Sequence, residues 1–197
     1  MNGILGFFFF FLKPGISPVQ KRRYVDYIKQ SCDRLLSIVT DTIEISHIQS
    51  NQAKVKRTNC DLAAMFDDLN EFMRIETAEK NVEFNVILKN NNLNVHTDCH
   101  KLFRSVKHLL DNAAKFTQNG AIDLIYHRTD ENVHFTVKDT GIGIAPENQT
   151  IIFEPFRQLE LGMTRNYDGN GVGLSLVKAY TEILNGSIDL KSDKGEG

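Results

Sequence analysis

The stretch HLLDNAAKFT, residues 108–117, closes a longer helical pattern, CHKLFRSVKHLLDNAAKF, for which Asp98 is a suitable N-cap. Asn112 follows His108 by four residues, so the two share one helix face, one turn apart. Alone, an asparagine and a lysine on a helix are ordinary solvated residues. Two further stretches change that weighing: DTGIGI (139–144), and GNGVGLSLVK (169–178), which runs its glycines into a helix. Singly these read as a turn and a hinge.

Together the three stretches meet the needs of a magnesium nucleotide. Phosphates need close approach to backbone N–H groups, which glycines permit, and a helix N-terminus, which GNGVGLSLVK supplies. Magnesium takes one or two oxygen ligands from protein, and the Asn112 side chain can offer one. A purine needs a directional acceptor for its exocyclic amine. Asp139, at a strand end, provides it, and Gly141 and Gly143 let the chain turn beneath the base.

Outward from these stretches the elements are mixed. Residues 61–80 read as a helix through Leu62, Met65, Phe66, Leu69, Phe72 and Met73. Strands are expected at 82–89, 93–98, 121–128 and 132–139, with a helix at 173–184 and a last strand at 187–193. The fold class expected is α+β, a sandwich with helices on one face of a mixed sheet. No internal repeat is visible.

The front of the chain is different. From about Pro18 to Gln52, Tyr24, Ile28, Leu35, Val39, Ile45 and Ile48 recur at helical steps with charges between them. A helix of more than thirty residues with a narrow apolar stripe fits a bundle or coiled coil. With the apolar run 4–12, in which residues 7–11 are all phenylalanine, it is expected to make a helical hairpin that pairs with a second one. That run spans about 13 Å as a helix, too short for a bilayer, and no Lys or Arg precedes it as in a signal peptide. It reads as a helix end stopped by Pro14 and Gly15. The polar run 51–59 marks the boundary between domains 1–52 and 53–197.

The 197 residues, 41% hydrophobic and 24% charged with four prolines, describe an ordered globular chain. A net charge of −2 gives no sign of nucleic acid as a partner. Cys32, Cys60 and Cys99 are odd in number and widely spaced, so neither a disulfide framework nor a zinc site is expected, and a reducing cytosolic setting fits.

The three boxes, in this order and at these intervals, resemble the ATP-binding domain of two-component sensor histidine kinases, within the Bergerat-fold ATPases. IFEPFRQ, 152–158, matches the family's phenylalanine box. The resemblance implies ATP and Mg²⁺ as ligands, with Asn112 holding magnesium and Lys115 near the phosphates. Asp139 would bind adenine, Gly169, Gly171 and Gly173 would fold a lid, and Phe153 and Phe156 would anchor it, packing its base as core aromatics. Phe116, Gly141, Gly143 and Leu174 complete the ATP-binding set.

MNGILGF resembles the end of the family's phosphoacceptor motif, whose histidine would precede residue 1. The resemblance implies a homodimer through the hairpin, autophosphorylation on histidine, relay to a response regulator, and the cytoplasmic portion of a sensor. No membrane contact is expected. An alternative is a nucleotide-binding or dimerisation scaffold without kinase activity; an ATP-hydrolysing topoisomerase or chaperone relative is disfavoured by KFT, the phenylalanine box and the hairpin.

None of the six histidines stands in a phosphoacceptor context, and His47 reads as a solvated helix residue. His108 is the candidate catalytic variant, since hydrolysing relatives carry a water-activating glutamate there and histidine kinases often asparagine. Its imidazole could act as a weak base or tune the site modestly. Arg104, where glutamine is commoner, reads as a surface change. The tail SDKGEG departs from relatives that continue into a final strand, so one edge strand is expected to be missing.

Overall fold

A computed structural model describes residues 6, 10, 11, 15–158 and 171–197. The chain divides into two compact units, residues 1–46 and 47–197. The division falls a few residues before the expected boundary at 52, because the backbone carbonyl of His47 accepts from the N–H groups of Gln52 and Ala53.

The first unit is built on α1 (Pro18–Gln49), a 32-residue helix. Its start is capped by Ser17, whose hydroxyl accepts from the Gln20 N–H at 3.3 Å. The Phe10 ring stacks on Tyr24 with centroids 6.1 Å apart, and Lys21 Nζ lies 5.7 Å from the Phe11 ring centre. Most of the expected first arm of the hairpin lies outside the described residues. Along α1 a row of apolar side chains faces solvent, Leu36 at 62% exposure and Ile43 at 50% among them. No helix among the described residues is long and apolar enough to cross a membrane.

The second unit runs β1 (Thr58–Asp61), α2 (Leu62–Glu76), β2 (Asn81–Leu88), β3 (Asn94–Thr97), α3 (Cys99–Phe116), β4 (Asn119–Arg128), β5 (Val133–Asp139), two short 3₁₀ turns and α4 (Gly173–Ile183). β2 and β4 pair in parallel and β4 and β5 antiparallel, in the order β2-β4-β5. The pleat sorts their side chains by face. Ile122, Leu124 and Tyr126 of β4 are fully buried, together with Leu62, Leu69 and Met73 of α2 and Leu110 of α3. The other face carries Asp123, His127, His134, Thr136 and Lys138. The helices thus cover one face of a mixed sheet.

Both helices that flank the core start as their sequences demand. Asp61 accepts from the Ala63 N–H at 2.9 Å to cap α2, and Asp98 accepts from the Lys101 N–H at 3.2 Å to cap α3. Asp98 is buried, which alone would raise its pKa. Bonds from the Lys56 and Lys101 backbone N–H groups and from the Lys101 ammonium outweigh that, so the carboxyl is held below its usual range.

Three expectations are corrected. First, Cys60 and Cys99 are joined as a disulfide, their Cα atoms 5.6 Å apart, and Cys32 is free. The pairing follows from β1, a four-residue polar strand that the sequence pattern does not announce. It runs antiparallel to β3, with Cys60 opposite Val95, which lays it beside the first turn of α3.

Second, residues 187–193 belong to no strand ladder among the described residues, although their exposure alternates as a strand's would. They are held by the glycine loop instead: Ser192 Oγ accepts from the Ile144 N–H at 2.8 Å, and Gly195 N–H donates to the Ile142 carbonyl at 2.8 Å. β5 therefore keeps one edge without a ladder partner among the described residues. Third, Arg104 is no simple surface residue. Its guanidinium donates to the Tyr180 hydroxyl at 3.1 Å and lies 5.8 Å from that ring's centre, tying α3 to α4.

Candidate functional site

The carboxyl half of α3 carries four of the candidate residues, His108, Asn112, Lys115 and Phe116. Its core face is Val106, Leu110, Ala113 and Ala114, so Asn112 and Lys115 fall at the margin of that face and stay partly exposed. Lys115 Nζ lies 5.2 Å above the Phe116 ring. α3 ends at Thr117, whose N–H donates to the Ala113 carbonyl at 3.0 Å.

Thr117 is fully buried, and its hydroxyl donates to Asp139 Oδ1 at 3.4 Å. The Gly141 N–H donates to the same oxygen at 2.9 Å. No bond to Asp139 Oδ2 occurs among the described residues. The carboxylate is therefore held by one oxygen, from the end of α3 and from the glycine loop, while the other is left to accept. Gly141 is required by space: a Cβ there would lie 2.7 Å from both the Phe116 carbonyl oxygen and Asp139 Oδ1. A cleft of about 340 Å³ opens beside this point, lined by Phe116, Asn119, Gly141, Ile142 and Gly195.

The amino end of α4 approaches α3 from the other side. Gly173 begins α4, followed by the partly buried Leu174, and a Cβ on Gly173 would lie 3.3 Å from His108 Nδ1. His108 is pushed down to about 4, first by burial and then by the positive charges of Arg104 and Lys107. The imidazole is neutral at physiological pH, against the turn that starts α4.

The phenylalanine box splits. Phe153, in the second 3₁₀ turn, is partly buried, whereas Phe156 is 61% exposed with φ of 64°. Phe156 is thus no core aromatic. Its backbone makes the link instead, its N–H donating to the Gly171 carbonyl at 2.7 Å. Gly171 has φ of 65°, and a Cβ there would lie 2.5 Å from the Arg157 carbonyl oxygen. Gly143, at φ of 63°, packs against the Asp193 carbonyl. Gly169 lies outside the described residues.

The structure thus brings Phe116, Asp139, Gly141 and Gly143 to one side of the α3 end, and His108, Gly173 and Leu174 along α3. Thr117 is the residue the sequence reading left out of the set, although it closes the stretch HLLDNAAKFT. No group of three or more His, Cys, Asp or Glu side chains able to hold a metal occurs among the described residues. A single asparagine oxygen suits magnesium, which keeps phosphate and water ligands, and does not suit zinc.

Residues 97–197 match the model of the histidine kinase-, DNA gyrase B- and HSP90-like ATPase family. The chain belongs to this family. It is homologous along its whole length to sensor histidine kinases. It is 30% identical over 206 residues to the autoinducer 2 sensor kinase/phosphatase LuxQ of Vibrio parahaemolyticus, covering 100% of this chain and 24% of LuxQ. It is 28% identical over 203 residues to the signal transduction histidine-protein kinase BarA of Escherichia coli, covering 100% of this chain and 22% of BarA.

Among solved structures, full-length ShkA in complex with AMPPNP matches with a TM-score of 0.78 at 25% identity, over 99% of this chain and 40% of ShkA. The fold is that of the histidine kinase catalytic domains, and its ATPase domain is the ATP-binding part. The chain spans about a quarter of the length of LuxQ and BarA. β1, α2 and β2 precede residue 97 and yet share the core with the ATPase elements.

Proposed function

We propose that the chain supplies the ATP-binding catalytic region of a cytoplasmic sensor histidine kinase portion, which phosphorylates a histidine of its own dimerisation hairpin and relays the phosphoryl group to an aspartate of a response regulator. The observation that carries this reading is the Thr117–Asp139–Gly141 arrangement. One carboxylate oxygen is fixed by two donors and the other is open, as a directional acceptor for the adenine amine requires.

The remaining roles follow from position. Asn112 holds Mg²⁺ through its side-chain oxygen, and Lys115 approaches the phosphates. Gly141 and Gly143 shape the floor beneath the base. Gly169, Gly171 and Gly173 fold over the triphosphate, with the N-terminal N–H groups of α4 directed at negative charge and Leu174 following on its first turn. The Phe156 N–H to Gly171 bond and the partly buried Phe153 fasten the base of that lid.

When bound, ATP would supply the transferable γ-phosphoryl group, and Mg²⁺, which Asn112 would hold, would supply positive charge against the phosphates. The protein's share is positioning and charge neutralisation, with little covalent chemistry of its own. His108, neutral and partly buried beside the start of α4, fills space there and adds no charge. Exposed Leu36 and Ile43 on α1 support a second copy of the hairpin as the partner that covers them.

Calorimetry with a non-hydrolysable ATP analogue and Mg²⁺ tests the core of this. Asp139→Ala is expected to abolish measurable binding while the protein remains folded by circular dichroism. Unchanged affinity would overturn the adenine assignment.

A further inference from the structure

Two adjacent residues at the start of α3, at the end away from Asn112, fasten the chain that leads into β1. Asp98 Oδ2 accepts from the Lys56 backbone N–H at 2.9 Å and from Lys101 Nζ at 3.0 Å. Lys101 Nζ also donates to the Lys54 carbonyl at 3.1 Å. Cys99, next in sequence to Asp98, adds the bond to Cys60. Segment 54–60, near the start of the second unit, is thus held to one helix end by both polar contacts and a covalent one.

The two sulfurs are not equivalent. Cys60 is 5% exposed, whereas Cys99 is partly exposed, is the first residue of α3, and has the Thr58 hydroxyl 3.2 Å from its sulfur. Helix N–H groups at that end favour a negative sulfur, and a hydroxyl can donate to it. An accessible sulfur so placed, with a buried one within bonding distance, is the arrangement of an attacking and a resolving cysteine. On the cytoplasmic placement proposed above, on which this inference rests, a disulfide is of the transient, redox-sensing kind.

We propose that Cys60 and Cys99 form a reversible, peroxide-responsive latch that fastens segment 54–60 to α3 when oxidised and loosens it when reduced. In the forward direction the Cys99 thiolate attacks one oxygen of hydrogen peroxide. The O–O bond breaks, giving a sulfenic acid and hydroxide, which takes up the proton Cys99 released and leaves as water. The Cys60 sulfur, giving up its proton, then displaces the sulfenic oxygen as a second water, and the S–S bond forms. Two thiols lose two electrons and the peroxide gains them.

For the return, a small dithiol attacks the Cys99 sulfur and Cys60 leaves as thiolate. The second thiol of the reductant then closes its own disulfide and frees Cys99. The Asp98 contacts persist in both states, so reduction loosens the segment without unfolding the domain.

The test uses the 197-residue chain. After peroxide treatment, non-reducing peptide mass spectrometry is expected to find one cross-link, Cys60 to Cys99, removed by dithiothreitol under native conditions, with Cys32 alkylated throughout. Hydrogen exchange on the same samples is expected to be roughly threefold or more slower at 54–60 and the first turn of α3 in the oxidised form, with β4 and β5 unchanged. Cys99→Ser should exchange like the reduced parent in both conditions, and Cys32→Ser like the unaltered parent. If Cys99→Ser does not fold, the reduced and oxidised parent still supply the comparison. The proposal is overturned by a bond that resists dithiothreitol until denaturant is added, by free thiols at both positions after peroxide, or by equal exchange in the two states.

Discussion

Gly173 opens α4 directly against His108: a methyl group on the glycine would lie 3.3 Å from the imidazole Nδ1. The space under the helix start is filled by a ring that burial, Arg104 and Lys107 keep neutral. Positive charge at this turn therefore comes from the backbone N–H groups of the helix start rather than from His108.

The same contact makes stability depend on pH. The folded imidazole titrates at about 4 against 6.5 when free, so the unfolded state binds the extra proton between those values. The contribution is complete above pH 6.5 and is lost as pH falls toward 4, by roughly 3 kcal/mol in all. Urea melts from pH 7 to 5 should show the decline, and His108→Asn should flatten it.

Removing the Thr117 hydroxyl leaves Asp139 with one donor, Gly141, on the oxygen that fixes it. Thr117→Val is expected to weaken binding of an ATP analogue about fivefold, the effect of about 1 kcal/mol for one hydrogen bond. Calorimetry beside a thermal melt separates that loss from general destabilisation.

Asp98 caps α3 and pairs with the partly buried Lys101 ammonium at once. Asp98→Ala is expected to cost about 2–3 kcal/mol in a denaturant titration, more than a cap alone, because Lys101 keeps only the Lys54 carbonyl and the Lys56 N–H loses its acceptor. Since the folded carboxyl is held below its ordinary value, its contribution is present above the unfolded pKa near 3.9 and is lost as pH falls through the lower, folded one. In Asp98→Ala this acid-side loss should be absent.

On α1, Leu36→Glu and Ile43→Glu place charge on apolar positions that solvent reaches in the single chain. Sedimentation velocity is expected to show a dimer for the unaltered chain and a monomer for each variant. A dimer that survives both changes would count against the hairpin as the dimer contact.

Helical periodicity and caps made α1, α2 and α3 legible from the sequence, and alternation did so for β2, β4 and β5. These signals are local. β1 was not legible, because four mostly polar residues carry no alternation, and without its register beside β3 the approach of Cys60 to Cys99 could not be seen. Residues 187–193 show the converse: the alternating pattern is present, but a ladder needs a partner that the pattern does not name. Most of the candidate site was readable as boxes, whereas the Thr117–Asp139 bond joins positions 22 residues apart and depends on where α3 stops. Arg104 was misplaced for a similar reason, its partner Tyr180 being 76 residues away.

The Cys60–Cys99 bond also has a topological meaning. It closes a covalent ring across a sequence separation of 39, enclosing α2, β2 and β3, while α3 beyond its first residue, β4, β5 and α4 hang outside it. β2 belongs to the ring, yet its partner β4 does not. A single backbone cut anywhere within the ring leaves the two pieces of the chain on one molecule, parted only by a reductant. The ring is therefore the part of the oxidised protein that can lose backbone continuity and still keep both of its ends.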